Sequence, residues 1–93
     1  MTEISKQTAL RQNPNICSRE FDGETVMMDE KLENYFGLDE IGTRIWQLLE
    51  QKRTIEQLCQ QLVREYNVDF DQCHADIEPF LRQLIDDNML IMG

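Results

Sequence analysis

In the N-terminal half of the chain the apolar positions come in short runs that suit β-strands. Two such runs, 16–21 and 24–29, flank the pair Asp22-Gly23. A two-residue type I′ turn needs positive φ at both positions, and Asp-Gly is one of the pairs that adopt it most readily. The pattern therefore predicts a β-hairpin, whose second strand carries the apolar run 26–28 and is covered on much of both faces.

A third strand is predicted at 33–38, after a polar connection at 30–33. Its residues Tyr35, Phe36 and Leu38 suit a pleated, half-buried surface. Three strands joined by short turns form an antiparallel meander, and the third strand of a meander lies at an edge of the sheet.

From Asp39 onward the hydrophobic period becomes helical. Ile41, Ile45 and Leu48 follow the i, i+4, i+7 spacing of one helix face, and Asp39 can accept backbone N–H bonds as an N-cap. We therefore predict a first helix at 39–51, immediately after the third strand.

Two further helices are predicted, at 54–66 and 71–87. Thr54 and Gln57 have the spacing of a capping box, and Asn67 can take the left-handed conformation that ends a helix. The second predicted helix therefore has a suitable N-terminal cap and a suitable C-terminal cap.

Pro79 falls inside the third predicted helix. Proline cannot donate a backbone hydrogen bond, and its ring crowds the carbonyl of Ala75. The sequence leaves three alternatives: a kink, a helix that begins only at 76–79, or a carbonyl left free to bind something.

The two ends of the chain carry weaker signals. Residues 1–15 predict a short edge strand or a loose arm, and 89–92 form an apolar tail that must pack somewhere. We predict a single domain over 1–93, with 1–8 loosely ordered. Its expected fold class is α+β and winged helix-turn-helix-like, with a three-stranded antiparallel sheet followed by three helices.

The charge of the chain argues against a nucleic-acid partner. The formal net charge is −9, from 18 acidic and 9 basic side chains. Binding to DNA depends largely on Lys and Arg neutralising phosphates. The third predicted helix would be the recognition helix of a winged-helix DNA-binding regulator, yet it carries five acidic residues against Arg82. A winged-helix DNA-binding regulator is therefore only an alternative interpretation of this sequence.

Other features favour a cytoplasmic chain with no membrane partner. No apolar run approaches about 18 residues, the length of a membrane-spanning helix, and the N-terminus lacks the apolar region of a signal peptide. Cys17, Cys59 and Cys73 form no Cys-x-x-Cys motif and cannot all pair with one another, which is typical of reduced thiols.

Catalytic chemistry has little support in the sequence. The single histidine, His74, lies beside Cys73, and no familiar zinc-ligand spacing joins them to Cys59 or Cys17. The four glycines do not cluster into a phosphate-binding loop. We predict no enzyme activity, no cofactor and no metal. A small hydrolase or metal protein built on Cys73 and His74 is the remaining alternative.

Peptide recognition fits the predicted elements better. An exposed edge strand is a template on which a peptide can add as a further strand. Tyr35 and Phe36 place aromatic surface on that strand, while Phe80 and Asp76 lie one turn apart on the third helix. Together these residues predict a groove, although each aromatic residue is also an ordinary candidate for the core.

Several segments of this chain resemble the PqqD-like proteins. The resemblance rests on the order and spacing of hydrophobic patterns over some 80 residues, and it is greatest to free-standing members that serve lasso peptide biosynthesis. The segments are Phe21-Asp22-Gly23, residues 26–29, 35–49, Thr54-Ile55 with Leu58 and Leu62, Val68, 76–81, Leu84 and 89–91.

The resemblance implies a recognition element for ribosomally made, modified peptides. Such a domain binds the leader segment of a precursor as a strand beside its third strand, against its third helix, and presents it to a leader peptidase and a cyclase. Pro79 departs from the residue usual in that helix. The sequence leaves open a homodimer, formed through the open sheet edge or through the apolar tail. The predicted peptide-binding residues are Met28, Asn34, Tyr35, Phe36, Asp76, Phe80 and Gln83.

Overall fold

The protein folds into two small antiparallel sheets and three helices. A computed structural model describes residues 4–29 and 34–93. The elements in chain order are β1 (Ala9–Gln12), β2 (Ile16–Phe21), β3 (Glu24–Asp29), β4 (Asn34–Leu38), α1 (Glu40–Leu48), β5 (Arg53–Thr54), α2 (Ile55–Tyr66), α3 (Phe70–Asp86) and β6 (Leu90–Met92).

The larger sheet is the predicted meander, with strand order β2-β3-β4. Asp22 and Gly23 join β2 to β3 with φ values of 51° and 82°, as a type I′ turn requires. Strand β3 then pairs with β4 in a register that sets Val26 opposite Gly37 and Met28 opposite Tyr35. The hairpin and the edge position of β4 are both confirmed, while the predicted connection at 30–33 lies outside the described residues.

The helix boundaries follow the capping signals. The side chain of Asp39 accepts the backbone N–H of Gly42 at the start of α1. Thr54 and Gln57 form the complete capping box of α2, and Asn67 ends that helix in the left-handed conformation with φ of 53°. Asp69 caps α3, so this helix begins at Phe70, one residue before the predicted start.

Helix α1 is shorter than predicted and ends at Leu48 instead of Gln51. The chain leaves the helix because Arg53 pairs with β1 as part of β5. The Nε of Arg53 also donates to the carbonyl of Leu48 at 2.7 Å, which satisfies one of the acceptors left free at the helix end.

Pro79 lies inside α3, which runs without interruption from Phe70 to Asp86. The alternative of a helix that begins at 76–79 is therefore wrong. The cap at Asp69 fixes the start of the helix. Burial of Cys73 and Ile77 before the proline, and of Leu81 and Leu84 after it, supports the turns on either side.

The smaller sheet joins the two ends of the chain. Its order is β5-β1-β6, so the segment expected to be an edge strand or a loose arm is the central strand of its sheet. Leu10 pairs with Met92, and Gln12 pairs with Leu90, which gives the apolar tail its place. Residues 1–3 of the segment expected to be loosely ordered lie outside the described residues. In the remainder, the carbonyls of Lys6 and Thr8 accept N–H groups at the start of α2.

One hydrophobic core joins both sheets to the three helices. Leu10 from β1, Met27 from β3, Leu58 from α2 and Leu81 from α3 are fully buried in it. The α+β class and the order of a three-stranded meander followed by three helices are confirmed, and the second sheet is an addition that the sequence analysis did not predict. In the described part of the chain no helix has the length and hydropathy to cross a membrane.

Candidate functional site

A groove opens between the end of β4, the first turns of α1 and the middle of α3. Its volume is about 470 Å³. Apolar side chains and two glycines form most of its surface, and two carboxylates complete it. The lining residues are Gly37, Leu38, Asp39, Ile41, Gly42, Ile45, Asp76, Ile77 and Phe80.

The free edge of β4 lies beside this groove, because β4 is the last strand of its sheet and none of the other described strands pairs with it there. In an antiparallel pair, hydrogen-bonded and non-bonded positions alternate. The two-residue turn makes Phe21 and Glu24 a hydrogen-bonded pair, so the alternation continues from there across β3. It follows that Tyr35 and Gly37 direct their N–H and C=O groups away from β3, toward the open edge.

Two glycines shape the groove. A Cβ added at Gly37 would meet no atom within 4 Å, so the outer face of the sheet is open at this point. At Gly42 an added Cβ would stand 3.2 Å from Cζ of Phe80. The absence of a side chain at Gly42 therefore lets the Phe80 ring lie close against the first turn of α1.

Buried hydroxyl groups hold α1 against the meander beneath the groove. The hydroxyl of Thr25 in β3 donates to Oγ1 of Thr43 in α1 at 2.8 Å, and Thr43 donates to the carbonyl of Leu38 at 3.5 Å. On the same face, Nε1 of Trp46 donates to Oγ of Ser18 at 3.2 Å. These contacts show which face of the sheet packs against α1.

The charges at the groove favour a basic ligand. Asp39 and Asp76 are both exposed, and no Lys or Arg occurs among the described lining residues. The carboxylate of Asp76 accepts from Nε2 of Gln72 at 2.9 Å, which holds it near the surface. A peptide bearing Lys or Arg would meet complementary charge on a chain whose net charge is already −9.

A second cavity adjoins this groove, next to the turn between α2 and α3. Its volume is about 200 Å³, and it shares Ile41, Asp76 and Ile77 with the groove. Nearly all of its remaining surface is apolar. The residues that line only this cavity are Leu62, Tyr66, Val68, Gln72 and Cys73.

The opposite face of the meander is also apolar. Tyr35 is 70% exposed there and Phe21 is 61% exposed. Together with Val26 and Met28 they border a shallow depression of about 350 Å³, which Cys17 and Arg19 complete. This outer face is separated from the groove by the thickness of the sheet.

The structure brings together only some of the residues predicted from sequence. Asp76 and Phe80 line the groove. Phe36 is half-buried and packs against the core on the α1 side of the sheet. Met28 and Tyr35 lie on the outer face and do not line the groove.

The other two predicted residues lie at the borders of the site. The backbone of Asn34 pairs with Asp29 at the start of β4. Gln83 is exposed on α3, one turn beyond Phe80, and its side-chain amide donates to the carboxylate of Asp87. Gln83 lines neither the groove nor the second cavity.

The sequence analysis missed most of the groove lining on α1. It assigned Ile41 to the buried face of the first helix, yet Ile41 is 41% exposed and contributes to both cavities. The available signal was Gly42, because a glycine in the first turn of a helix gives up helix propensity and so indicates a close approach.

The buried cysteines are poorly suited to nucleophilic chemistry. Burial raises the pKa of the Cys59 thiol to about 12, and burial also raises the pKa of the Cys73 thiol. A nucleophilic cysteine requires a lowered pKa that favours the thiolate. Within residues 4–29 and 34–93, no group of three or more His, Cys, Asp and Glu side chains is arranged to hold a metal ion.

Comparisons with known proteins agree with this geometry. Residues 24–90 match the model of the family described as coenzyme PQQ synthesis protein D (PqqD). A solved structure described as TbiB1 in complex with the TbiA(beta) leader peptide is similar to this chain, with a TM-score of 0.79 and 34% sequence identity. The match covers 86% of this chain and 93% of that chain. A comparison with curated proteins found no match. The extent of the family match and the identity to TbiB1 together establish that this chain belongs to the PqqD family.

Proposed function

We propose that this protein is a non-catalytic adaptor that binds the leader segment of a ribosomally synthesised precursor peptide and presents it to a maturation enzyme. The observation that carries the proposal is the open edge of β4 beside the groove that Phe80 borders. The similarity to TbiB1, whose solved structure contains a leader peptide, supports it.

Binding begins with strand addition. The backbone groups of Tyr35 and Gly37 bond the leader and set its register, since main-chain bonds supply affinity in this mode of recognition. Side chains of the added strand then alternate between the two faces of the sheet. One set enters the groove beside Phe80, and the other set lies on the outer face next to Tyr35 and Met28.

The predicted site residues then have separate roles. Phe80 offers apolar surface inside the groove, and Asp76 attracts a basic side chain of the leader. Phe36 supports the strand from the core side, while Asn34 and Gln83 lie where the leader enters or leaves the site. This assignment accounts for predicted residues on both faces of the sheet.

The adaptor with its bound leader works with a leader peptidase and a cyclase in the cytoplasm. The adaptor supplies the bound leader and the enzymes supply the chemistry. A homodimer through the apolar tail is disfavoured, since β6 pairs with β1 and Leu90 is buried. Nucleic-acid binding is disfavoured because α3 carries Asp71, Asp76, Glu78 and Asp86 against one arginine.

The test uses a leader peptide and a pair of variants at one position. The peptide is the N-terminal segment of the precursor encoded nearest to the gene for this chain, and its affinity is measured by calorimetry. Gly37→Pro removes an N–H that points to the open edge, a position where an edge strand tolerates proline. Gly37→Ala keeps that N–H and meets no atom within 4 Å, so it is the matched control.

Wild type and Gly37→Ala should bind the leader with similar affinity, and Gly37→Pro should bind at least about fivefold more weakly, the equivalent of about 1 kcal/mol. N-methylation of alternate leader residues should weaken binding with a period of two, because only every second N–H of an added strand faces β4. A folded wild-type protein with no affinity for the leader would refute the proposal.

A further inference from the structure

A basic pocket lies between the segment that joins α1 to β5 and the exposed face of α2. Its volume is about 260 Å³. Lys52, Arg53 and Arg64 line it together with four glutamines, and no Asp or Glu occurs among its described lining residues. The whole chain carries 18 acidic and 9 basic side chains, so this pocket has the opposite sign of charge from the molecule as a whole.

The fold fixes one of the three basic side chains and leaves the other two open to solvent. Arg53 is half-buried, pairs with Leu10 as part of β5, and donates from Nε to the carbonyl of Leu48 at 2.7 Å. Lys52 and Arg64 are exposed, and within the described residues neither forms an ion pair. The pocket therefore holds positive groups that the described carboxylates of its own chain leave unbalanced.

The carboxylate that follows Arg64 in the sequence is engaged elsewhere. Glu65 accepts from Nε and Nη2 of Arg44 at 2.7 Å, and from Nε2 of Gln61 at 2.8 Å. Glu50 is exposed and does not line the pocket. Because Glu65 is directed toward Arg44 on α1, it does not neutralise Arg64.

The hydrogen-bonding groups around the basic pocket are mostly donors. Lysine and arginine side chains offer N–H groups and no acceptor. Oε1 of Gln57 accepts the backbone N–H of Thr54 in the capping box, which leaves its amide NH₂ as the part that can donate outward. A carboxylate accepts such bonds at both oxygens, and a guanidinium can bind it through two of them at once. The pocket therefore matches a carboxylate both in charge and in hydrogen bonding.

The charge of the surrounding surface favours an acidic protein segment over a nucleic acid. A DNA-binding protein neutralises phosphates along the length of a duplex, whereas here the basic groups are confined to one pocket on a chain of net charge −9. A short segment bearing carboxylates meets attraction at this pocket alone. The rest of the surface repels it, so the charges select a single docking orientation.

The basic pocket and the leader groove lie at opposite ends of α1. Asp39 and Ile41 line the groove at the start of this helix, whereas Lys52 and Arg53 follow its end. A helix of nine residues that rises about 1.5 Å per residue separates the two sites by more than about 10 Å. A leader in the groove and a second partner at the pocket can therefore be bound at the same time.

We infer that the basic pocket is the surface at which this adaptor docks an acidic segment of the leader peptidase while the leader occupies the groove. The inference rests on the proposed function and adds the place and the chemistry of the enzyme contact. Presentation of a bound leader requires a contact with the enzyme that leaves the leader site occupied, and this pocket meets that requirement.

The test measures the affinity of the leader peptidase encoded nearest to the gene for this chain, by biolayer interferometry on the adaptor with its leader bound. The pocket variant combines Lys52→Glu with Arg64→Glu. The matched control combines Arg11→Glu with Arg19→Glu, because both residues are exposed, both lie outside the pocket, and the net charge changes by the same amount. Trp46 fluorescence in denaturant confirms that each variant is folded.

The pocket variant should bind the peptidase at least about tenfold more weakly than wild type, and the control should stay within about twofold. Calorimetry should give the same leader affinity for wild type and both variants. Raising the salt from about 0.05 M to about 0.5 M should weaken peptidase binding to wild type more than to the pocket variant. Exchanging single Asp or Glu residues of the peptidase for Lys should identify positions that restore its binding to the pocket variant.

The outcomes separate this inference from the proposed function. Failure of the peptidase to bind leader-loaded wild type, equal affinity for the pocket variant, or an equal loss in the control would overturn the docking site while strand addition stands. Binding of a short DNA duplex to wild type, abolished in the pocket variant, would overturn it in favour of a nucleic acid. A leader that fails to bind folded wild type would overturn the proposed function itself.

Discussion

The ring of Phe80 in α3 lies against Gly42 in α1, at a distance that would make even a Cβ a tight contact. A Cβ at Gly42 would stand 3.2 Å from Cζ of Phe80 and 3.3 Å from both Oδ1 of Asp39 and Cβ of Leu38. Phe80 is half-buried and borders the groove, whereas Leu38 is fixed in β4. The Phe80 ring is therefore the neighbour free to move, and the width of the groove depends on Gly42.

Gly42→Ala should weaken leader binding while changing stability little. Alanine gains about 1 kcal/mol of helix propensity over glycine, and the crowding at Cβ opposes that gain. The added methyl pushes the Phe80 ring toward the groove, where it competes with the leader. We expect a loss of affinity of about threefold to tenfold by calorimetry and a change in unfolding free energy within about 1 kcal/mol. Affinity equal to wild type would show that the contact does not set the groove.

Phe80→Ala should remove apolar surface that the leader covers. Truncation of an aromatic residue at the centre of an interface commonly reduces binding by about 1–3 kcal/mol, which corresponds to at least about fivefold in affinity. Calorimetry on the folded variant measures the loss. Val63→Ala is the matched control, since Val63 is also a half-buried residue packed against the core but does not line the groove. Unchanged leader affinity in folded Phe80→Ala would place the binding site elsewhere.

Local signals in the sequence predicted the elements well. Asp22-Gly23 specified the hairpin, and Thr54 with Gln57 specified the start of α2, because each of these features depends on residues close together in the chain. The same holds for the cap at Asp39, which places the first turn of α1 beside the end of β4.

Pairings between distant segments were not predictable in the same way. Strand β1 lies between β5 and β6, and no local pattern at Leu10 indicates that Met92 will pair with it. The residues that line the groove were equally hard to predict from the sequence. Ile41 shares the helical spacing of Ile45, but Ile45 is buried in the core and Ile41 is exposed. Which residue of an apolar stripe is exposed depends on how the helices cross, and spacing alone does not contain that information.

Asp76→Asn tests the electrostatic part of recognition. The amide keeps an oxygen that can accept from Gln72, so the substitution removes the charge and preserves the local bond. An exposed ion pair contributes about 0.2–1 kcal/mol, so affinity for a leader containing Lys or Arg should fall up to about fivefold at low salt. The difference should disappear near 1 M salt, where screening is strong. An equal effect on a leader whose basic residues are replaced by Gln would contradict the charge assignment.

The ion pair between Arg44 and Glu65 should make stability depend on pH in the acidic range. Nε of Arg44 lies 2.7 Å from Oε1 of Glu65, joining α1 to α2. The hydrogen bond from Arg44, with a second from Gln61, lowers the pKa of Glu65 from 4.5 to about 2. Because the folded pKa is lower than the unfolded one, the pair stabilises the fold fully above about pH 4.5. This contribution is lost as the pH falls toward about 2.

The partial exposure of both side chains limits that contribution to about 0.5–1 kcal/mol. Chemical denaturation at pH 7, 4 and 3 should therefore show a steeper loss of unfolding free energy for wild type than for Glu65→Gln. Arg44→Gln should flatten the same part of the curve, and the double variant should add nothing further, since both changes remove one interaction. If Arg44→Gln instead kept the wild-type dependence between pH 4.5 and 2, the arginine would not be the cause of the lowered pKa.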